Sequence, residues 1–193
     1  MKLKFALAAA SLGLLSQSAL ADCQLDAKAV VSGMVKLPPF HLTIKTTSKN
    51  IESKMTGDVV MPDSFKLVFG NSATIVTPRG AWASVNGKWQ AQSADAAANM
   101  RHVLLSGIAD DLATMRNVKC NAKAKVQGKT YKSIEYDVFK NRNDKTPLAH
   151  KKVLLGKDSR PLWIITQGFS QSGNSAIVQK FDYDPTIRIT DPM

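Results

Sequence analysis

The sequence is poor in the residues on which most protein chemistry depends. It has two cysteines and three histidines in 193 residues, and 7% of it is aromatic. The histidines, His41, His102 and His150, have no second histidine at metal-ligand spacing, so no zinc centre is predicted. No glycine-rich phosphate loop is present, and Gly173-Asn174-Ser175 lacks the G-x-S-x-G pattern of a nucleophile elbow. Asp110 and Asp111 are adjacent on a helical pattern and point to different sides. Asp182 and Asp184 share one strand face, where a solvated pair is the plainer reading than a cation site. The expectation is a non-enzyme with no catalytic residue, no metal and no cofactor. Beyond the first twenty residues no apolar run is long enough to span a bilayer. Internal repeats and low-complexity segments are absent as well.

Acidic residues are also scarce, with 15 Asp+Glu against 26 Lys+Arg. What the chain does have is a 44% apolar fraction, which excludes a disordered tail or a fibre. Its first residues carry Lys2 and Lys4, an apolar run from Phe5 to Leu15, and Ala19-Leu20-Ala21. A positive start, an apolar middle and a small-residue exit make a secretory signal peptide over 1–21. The expected mature chain is a single domain over 22–193, soluble in the periplasm. Loss of Lys2 and Lys4 takes the formal charge from +11 to +9. That surplus is dispersed, with no tract longer than Lys151-Lys152, and reads most simply as a solvated surface; an anionic membrane surface or an acidic envelope protein is the alternative. Nucleic acid is not an expected partner, because the chain is exported and carries no binding motif.

In an exported chain, Cys23 and Cys120 most simply form one disulfide. The competing reading, lipidation of Cys23, fits badly with Asp22 before it.

Val30, Val31, Met34 and Leu37 recur at helical spacing over Asp26 to Leu37, and Pro38-Pro39 stops the pattern. Phe40, Leu42 and Ile44 then alternate with polar residues, which opens a series of strands. Asn86-Gly87 between Val85 and Lys88 is a hairpin turn signal. Ser93 caps a second predicted helix, along which Ala97, Met100, Leu104, Ile108, Leu112 and Met115 follow at steps of three and four. Cys120 is expected just past its end. Strands resume over 123–126, 131–140, 150–155, 162–169 and 175–183. The predicted class is α+β: one long, curved antiparallel sheet that must either close or be capped by its helices. An incompletely closed barrel with helices in its mouth would have an apolar concave interior.

Bulky apolar residues crowd the strands, among them Met61, Phe65, Leu67, Phe69, Trp82 and Trp163. They are either ordinary core or the lining of a cavity that two short helices fill only in part. The cavity reading places all six around one ligand, with Trp82 looking into the same space as Phe65, Leu67 and Phe69. Lys54, Lys66, Arg79 and Lys88 are the candidate basic rim for an anionic headgroup.

Several ordered segments resemble a known family. Gly57-Asp58-Val59-Val60-Met61-Pro62-Asp63-Ser64-Phe65-Lys66-Leu67 resembles the strand–Pro–x–x–Phe–strand signature of the LolA/LolB-type lipoprotein-carrier superfamily. Arg79-Gly80-Ala81-Trp82 is similar to its Asp-Gly-x-x-Trp hairpin. Asp158-Ser159-Arg160-Pro161-Leu162 and Phe181-Asp182-Tyr183-Asp184-Pro185 resemble its later turn and closing strand. Met61 and Arg79 stand where the lipoprotein carriers have Arg and Asp, so the resemblance is to the superfamily and not to the carrier itself. It implies a half-barrel with a helical lid that binds acyl chains and carries lipids or lipoproteins across the periplasm. The expected function is therefore non-enzymatic binding and carriage of a lipid, a fatty acid or lipoprotein acyl chains. The alternative is an envelope protein-interaction module, a regulator or inhibitor of a partner, on the same scaffold.

Overall fold

A computed structural model describes residues 14–49, 51–126, 128–170 and 173–192. Helix α1 (Leu14–Gly33) and a 3-10 turn over Met34–Lys36 precede six strands: β1 (Phe40–Ser48), β2 (Ile51–Val60), β3 (Ser64–Phe69), β4 (Ser72–Thr77), β5 (Gly80–Val85) and β6 (Lys88–Ala91). Helix α2 (Ala94–Thr114) follows. Strands β7 (Arg116–Val126), β8 (Lys129–Val138), β9 (Ala149–Leu155), β10 (Pro161–Ser170) and β11 (Gly173–Tyr183) complete the chain.

The strands form one antiparallel sheet of eleven, in the order β6-β5-β4-β3-β2-β1-β11-β10-β9-β8-β7. Two meanders are thus joined at the centre by the first and last strands, paired from Phe40↔Tyr183 to Ser48↔Ser175. The edges β6 and β7 do not pair with each other, so the sheet stays open. Helix α2 is the covalent link between those two edges, and it lies across the concave face. This is an open α+β half-barrel: the strand and helix signals predict its α+β class, and the family resemblance implies an incompletely closed antiparallel half-barrel with helices capping the concave face.

Local sequence explains most boundaries. Asn86 and Gly87 take φ values of 52° and 78°, the left-handed pair that a two-residue hairpin between β5 and β6 requires. The Ser93 side chain accepts a hydrogen bond from the Ala96 N–H at 3.2 Å and caps α2. Cys23, Ala27 and Val31, one turn apart on α1, are buried against the sheet. At Gly57 of β2 an added Cβ would stand 2.0 Å from the Lys66 carbonyl oxygen, so the close coiling of β2 on β3 needs a glycine there.

Two boundaries differ from the sequence expectation. Helix α1 runs Leu14–Gly33, not from Asp26 to Leu37, and its last turn tightens to 3-10 geometry before Leu37. Strand β7 begins at Arg116, so Cys120 lies within a strand and not merely past the helix. Its first half is polar, and only Val118 and Ala124 are buried. Backbone pairing to β8, with register shifts after Arg116 and Asn121, holds this strand where side-chain alternation gives no signal.

The disulfide expectation holds: Cys23 of α1 is bonded to Cys120 of β7, with 5.9 Å between the Cα atoms. After β11 the chain returns to the β4–β5 turn. There Asp191 accepts a hydrogen bond from the Thr77 hydroxyl at 2.8 Å and pairs with Arg79 at 2.8 Å. The buried residues Val31, Phe40, Val59, Phe65, Val76, Ile134, Val153 and Phe181 form a continuous core between the helices and the sheet.

Candidate ligand cavity

Directly opposed residues of an antiparallel ladder share a face. Phe40 faces Val59, Val59 faces Phe65, Phe65 faces Val76 and Val76 faces Ala81, which defines the concave side from β1 to β5. Leu42, Gly57 and Leu67 form the next rung of that face, and Ile44 and Met55 the one after. Helix α2 does not fill the space above these rungs.

Two hollows remain. One, of about 380 Å³, lies between the helices and β1, β2, β3, β10 and β11, and Met34, Leu42, Met61, Phe65, Leu67, Met100 and Ile164 are among its walls. The other, of about 570 Å³, lies between α2 and the β3–β4 hairpin and is lined by Met55, Phe69, Ala73 and Asn99 among others. Phe65, Leu67, Met100 and Val103 wall both, so the two adjoin. Each falls within the roughly 300–1,000 Å³ of small-molecule sites. The methionines can adjust to chains of different shape.

One charged pair interrupts the apolar lining of the first hollow. Lys151 of β9 donates to both carboxylate oxygens of Asp111 on α2, at 2.8 and 2.7 Å. The Tyr136 hydroxyl donates to the same carboxylate at 2.9 Å. Burial, and then the Asp111 charge, push the Tyr136 hydroxyl far above its usual pKa, so it remains a donor. With Arg101 donating to the Thr77 carbonyl at 2.8 Å, this cluster fastens α2 to both meanders.

Four of the six residues proposed from the sequence border the hollows. Met61, Phe65 and Leu67 line the first hollow, and Phe69, half exposed, lines the second. The other two are a correction. Trp82 pairs with Ile75, which pairs with Lys66, and this is the rung opposite in sense to Phe65 and Val76. Trp163 pairs with Lys180, whose ammonium lies 5.9 Å from the indole ring, whereas the neighbouring rung Ile164–Gln179 faces the hollow. Both tryptophans therefore stand on the convex side. The four basic residues do not form one rim either. Lys66 is on the convex face, Lys54 is directly opposed by Lys45, Arg79 is paired with Asp191 at the far end, and Lys88 lies at a hairpin turn. Sequence reasoning missed Met34, Val103, Asp111 and Lys151. The helical spacing of Met34 gave a usable signal, whereas the Asp111–Lys151 pair spans 40 residues and gave none.

His41 and His150 sit in polar surroundings away from the hollows, and His102 is exposed on α2. His41 Nδ1 is 2.6 Å from the Asp58 carboxylate and its Nε2 is 3.6 Å from Asp184. The Asp58 hydrogen bond holds the His41 pKa above its ordinary value, helped by the Asp58 and Asp184 charges. His150 Nδ1 is 2.9 Å from Asp137. Among the described residues no group of three or more His, Cys, Asp or Glu side chains is placed to hold a metal ion. No helix among them is long and apolar enough to cross a membrane.

No protein-family model matches the chain. No curated protein sequence matches it either. Solved structures do. The Mycobacterium tuberculosis lipoprotein LppX superposes with a TM-score of 0.61 over 88% of this chain and 99% of its own, at 10% identity. LprF from Mycobacterium bovis superposes with a TM-score of 0.59 over 89% of this chain and 97% of its own, at 8% identity. At such identities the likeness is one of fold, and it extends over nearly the whole of both neighbours.

Proposed function

We propose that residues 1–21 are an export signal and that 22–193 form one periplasmic domain, a non-enzymatic binder and carrier of an acylated ligand. The ligand class is a lipid, a fatty acid or the acyl chains of a lipoprotein. It occupies the adjoining hollows between α2 and the concave face, in contact with Met61, Phe65, Leu67 and Phe69 and with Met100 and Val103 from the helix. The observation that carries this reading is the lining itself: a long apolar trough whose one charged pair is already internally neutralised. Burial of the ligand's methylenes would supply roughly 0.8 kcal/mol each.

Native mass spectrometry of gently purified protein tests the proposal. A co-purifying acylated molecule, displaced by a fluorescent fatty acid, is the expected result. An empty protein that binds no probe and captures one envelope polypeptide would instead identify an interaction module.

A further inference from the structure

The meander puts every second hairpin at the same end of the sheet. The β1–β2, β3–β4, β5–β6 and β8–β9 connections share one rim, and the β2–β3, β4–β5, β7–β8 and β9–β10 connections share the other. The two rims differ in chemistry. Of the six large hydrophobic side chains exposed among the described residues, Ile51 (73%), Phe69 (53%), Val85 (62%) and Leu148 (52%) belong to the first rim, and Leu25 and Val103 lie on the two helices. None belongs to the turns of the second, which present residues such as Pro62, Arg79, Lys157 and Asp158.

Cations accompany the apolar tips. Lys49, Lys88, Lys140, Arg142 and Lys145 are exposed on the same connections, against Glu52 and Asp144. Asp144 is partly spent within its own loop, where its side chain accepts hydrogen bonds from Asn141. Single apolar side chains set among lysines and arginines, and spread along an arc of hairpin tips, suit a lipid headgroup layer. The apolar tips reach into the acyl boundary while the cations meet anionic headgroups. A protein partner would be better served by a contiguous patch. The second hollow reaches this rim, because Phe69 and Ser72 of the β3–β4 turn line it.

We infer that this rim docks on the surface of an anionic bilayer, with Ile51, Phe69, Val85 and Leu148 entering the interface and the five cations holding the headgroups. Docking sets the mouth of the second hollow against the lipid, but it does not require a ligand inside.

Co-sedimentation of the purified, oxidised protein with phosphatidylcholine vesicles, with and without phosphatidylglycerol, tests the inference. The wild type should pellet with phosphatidylglycerol vesicles and be released by salt. The triple variant Ile51→Ser/Val85→Ser/Leu148→Ser should partition about tenfold more weakly. These three residues line neither hollow, so the variant should keep its affinity for a fluorescent fatty acid and its melting temperature. Lys49→Glu/Lys88→Glu should also lose binding to anionic vesicles, whereas Lys157→Glu on the opposite rim should bind as wild type. Three results would overturn docking by this rim: no pelleting of the wild type, a triple variant that binds undiminished, or an equal loss in Lys157→Glu. A dimer that the triple variant dissolves, without loss of vesicle binding, would assign the rim to a second copy of the chain and overturn it too. Failure of the carrier reading would appear separately, as absence of probe binding in solution.

Discussion

His41 is the residue whose environment makes the most direct solution prediction. Its ring nitrogen meets Asp58 at 2.6 Å on an exposed face, and its pKa is raised. A raised folded-state pKa means that the contribution to stability is fully present below the unfolded value of 6.5 and is lost as pH rises through the folded value. Solvent screening keeps it to no more than about 1 kcal/mol. Urea unfolding of wild type and His41→Gln should therefore show a wild-type advantage below pH 6.5 that shrinks as the pH rises above it. An advantage that grows with pH would contradict the assigned pairing. Single residues also show what sequence can convey. Ser93 and Asn86-Gly87 act through their own backbone neighbours, and both were legible. Which face Trp82 and Trp163 occupy was not. Period-2 alternation says that Trp82 and Ala81 point to opposite sides, but only the ladder register and the position of α2 decide which side is concave.

At the scale of elements, α2 is legible as a helix yet its fastening is not. Its cap and its steps of three and four predict the helix. The carboxylate of Asp111 finds Lys151 and Tyr136 only after β8 and β9 are placed beside it. Removing the cation alone leaves a buried, uncompensated carboxylate. Lys151→Met should therefore cost about 2–4 kcal/mol, below the deep-interior range because the pair borders a hollow. The double variant Asp111→Leu/Lys151→Met should recover most of that loss, since an apolar pair replaces a pair that had to be desolvated. A double variant no more stable than Lys151→Met would show that the ion pair itself holds the helix. The disulfide is the second fastening, of α1 to β7, and it was readable from the expected export signal and the cysteine count. It closes a loop of 97 residues, so Cys120→Ser should lower stability by about 2–5 kcal/mol in denaturant titrations. Free thiols in protein recovered from an oxidising compartment would remove that prediction's premise. Strand β7 was the least legible element, because a polar strand held by backbone bonds leaves no alternating pattern.

For the whole molecule, the question is why a sheet of eleven strands stays open around a trough. Sequential hairpins build each meander locally, and the pairing of β1 with β11 joins them at the centre, so both edges are left at β6 and β7. Helix α2 then has to span from one edge to the other, and a single helix cannot fill the concavity it crosses. The order of strands along the chain was visible in turns and alternation, but the β1–β11 junction rests on residues far apart in sequence and left no local signal. The trough makes two kinds of apolar site that sequence cannot tell apart. Val153 is fully buried in the core, whereas Leu67, on the same concave face, is half-buried and borders both hollows. A glutamate should distinguish them. At Val153 its charge would be enclosed without a partner, and the domain should largely unfold, a loss of about 4 kcal/mol or more. At Leu67 the carboxylate can reach solvent through the hollow, so urea unfolding should show a smaller loss while displacement of a fluorescent fatty acid is abolished. Equal destabilisation by Leu67→Glu and Val153→Glu would mean that the hollow closes in solution, and a folded Leu67→Glu variant that still binds the probe would move the ligand elsewhere.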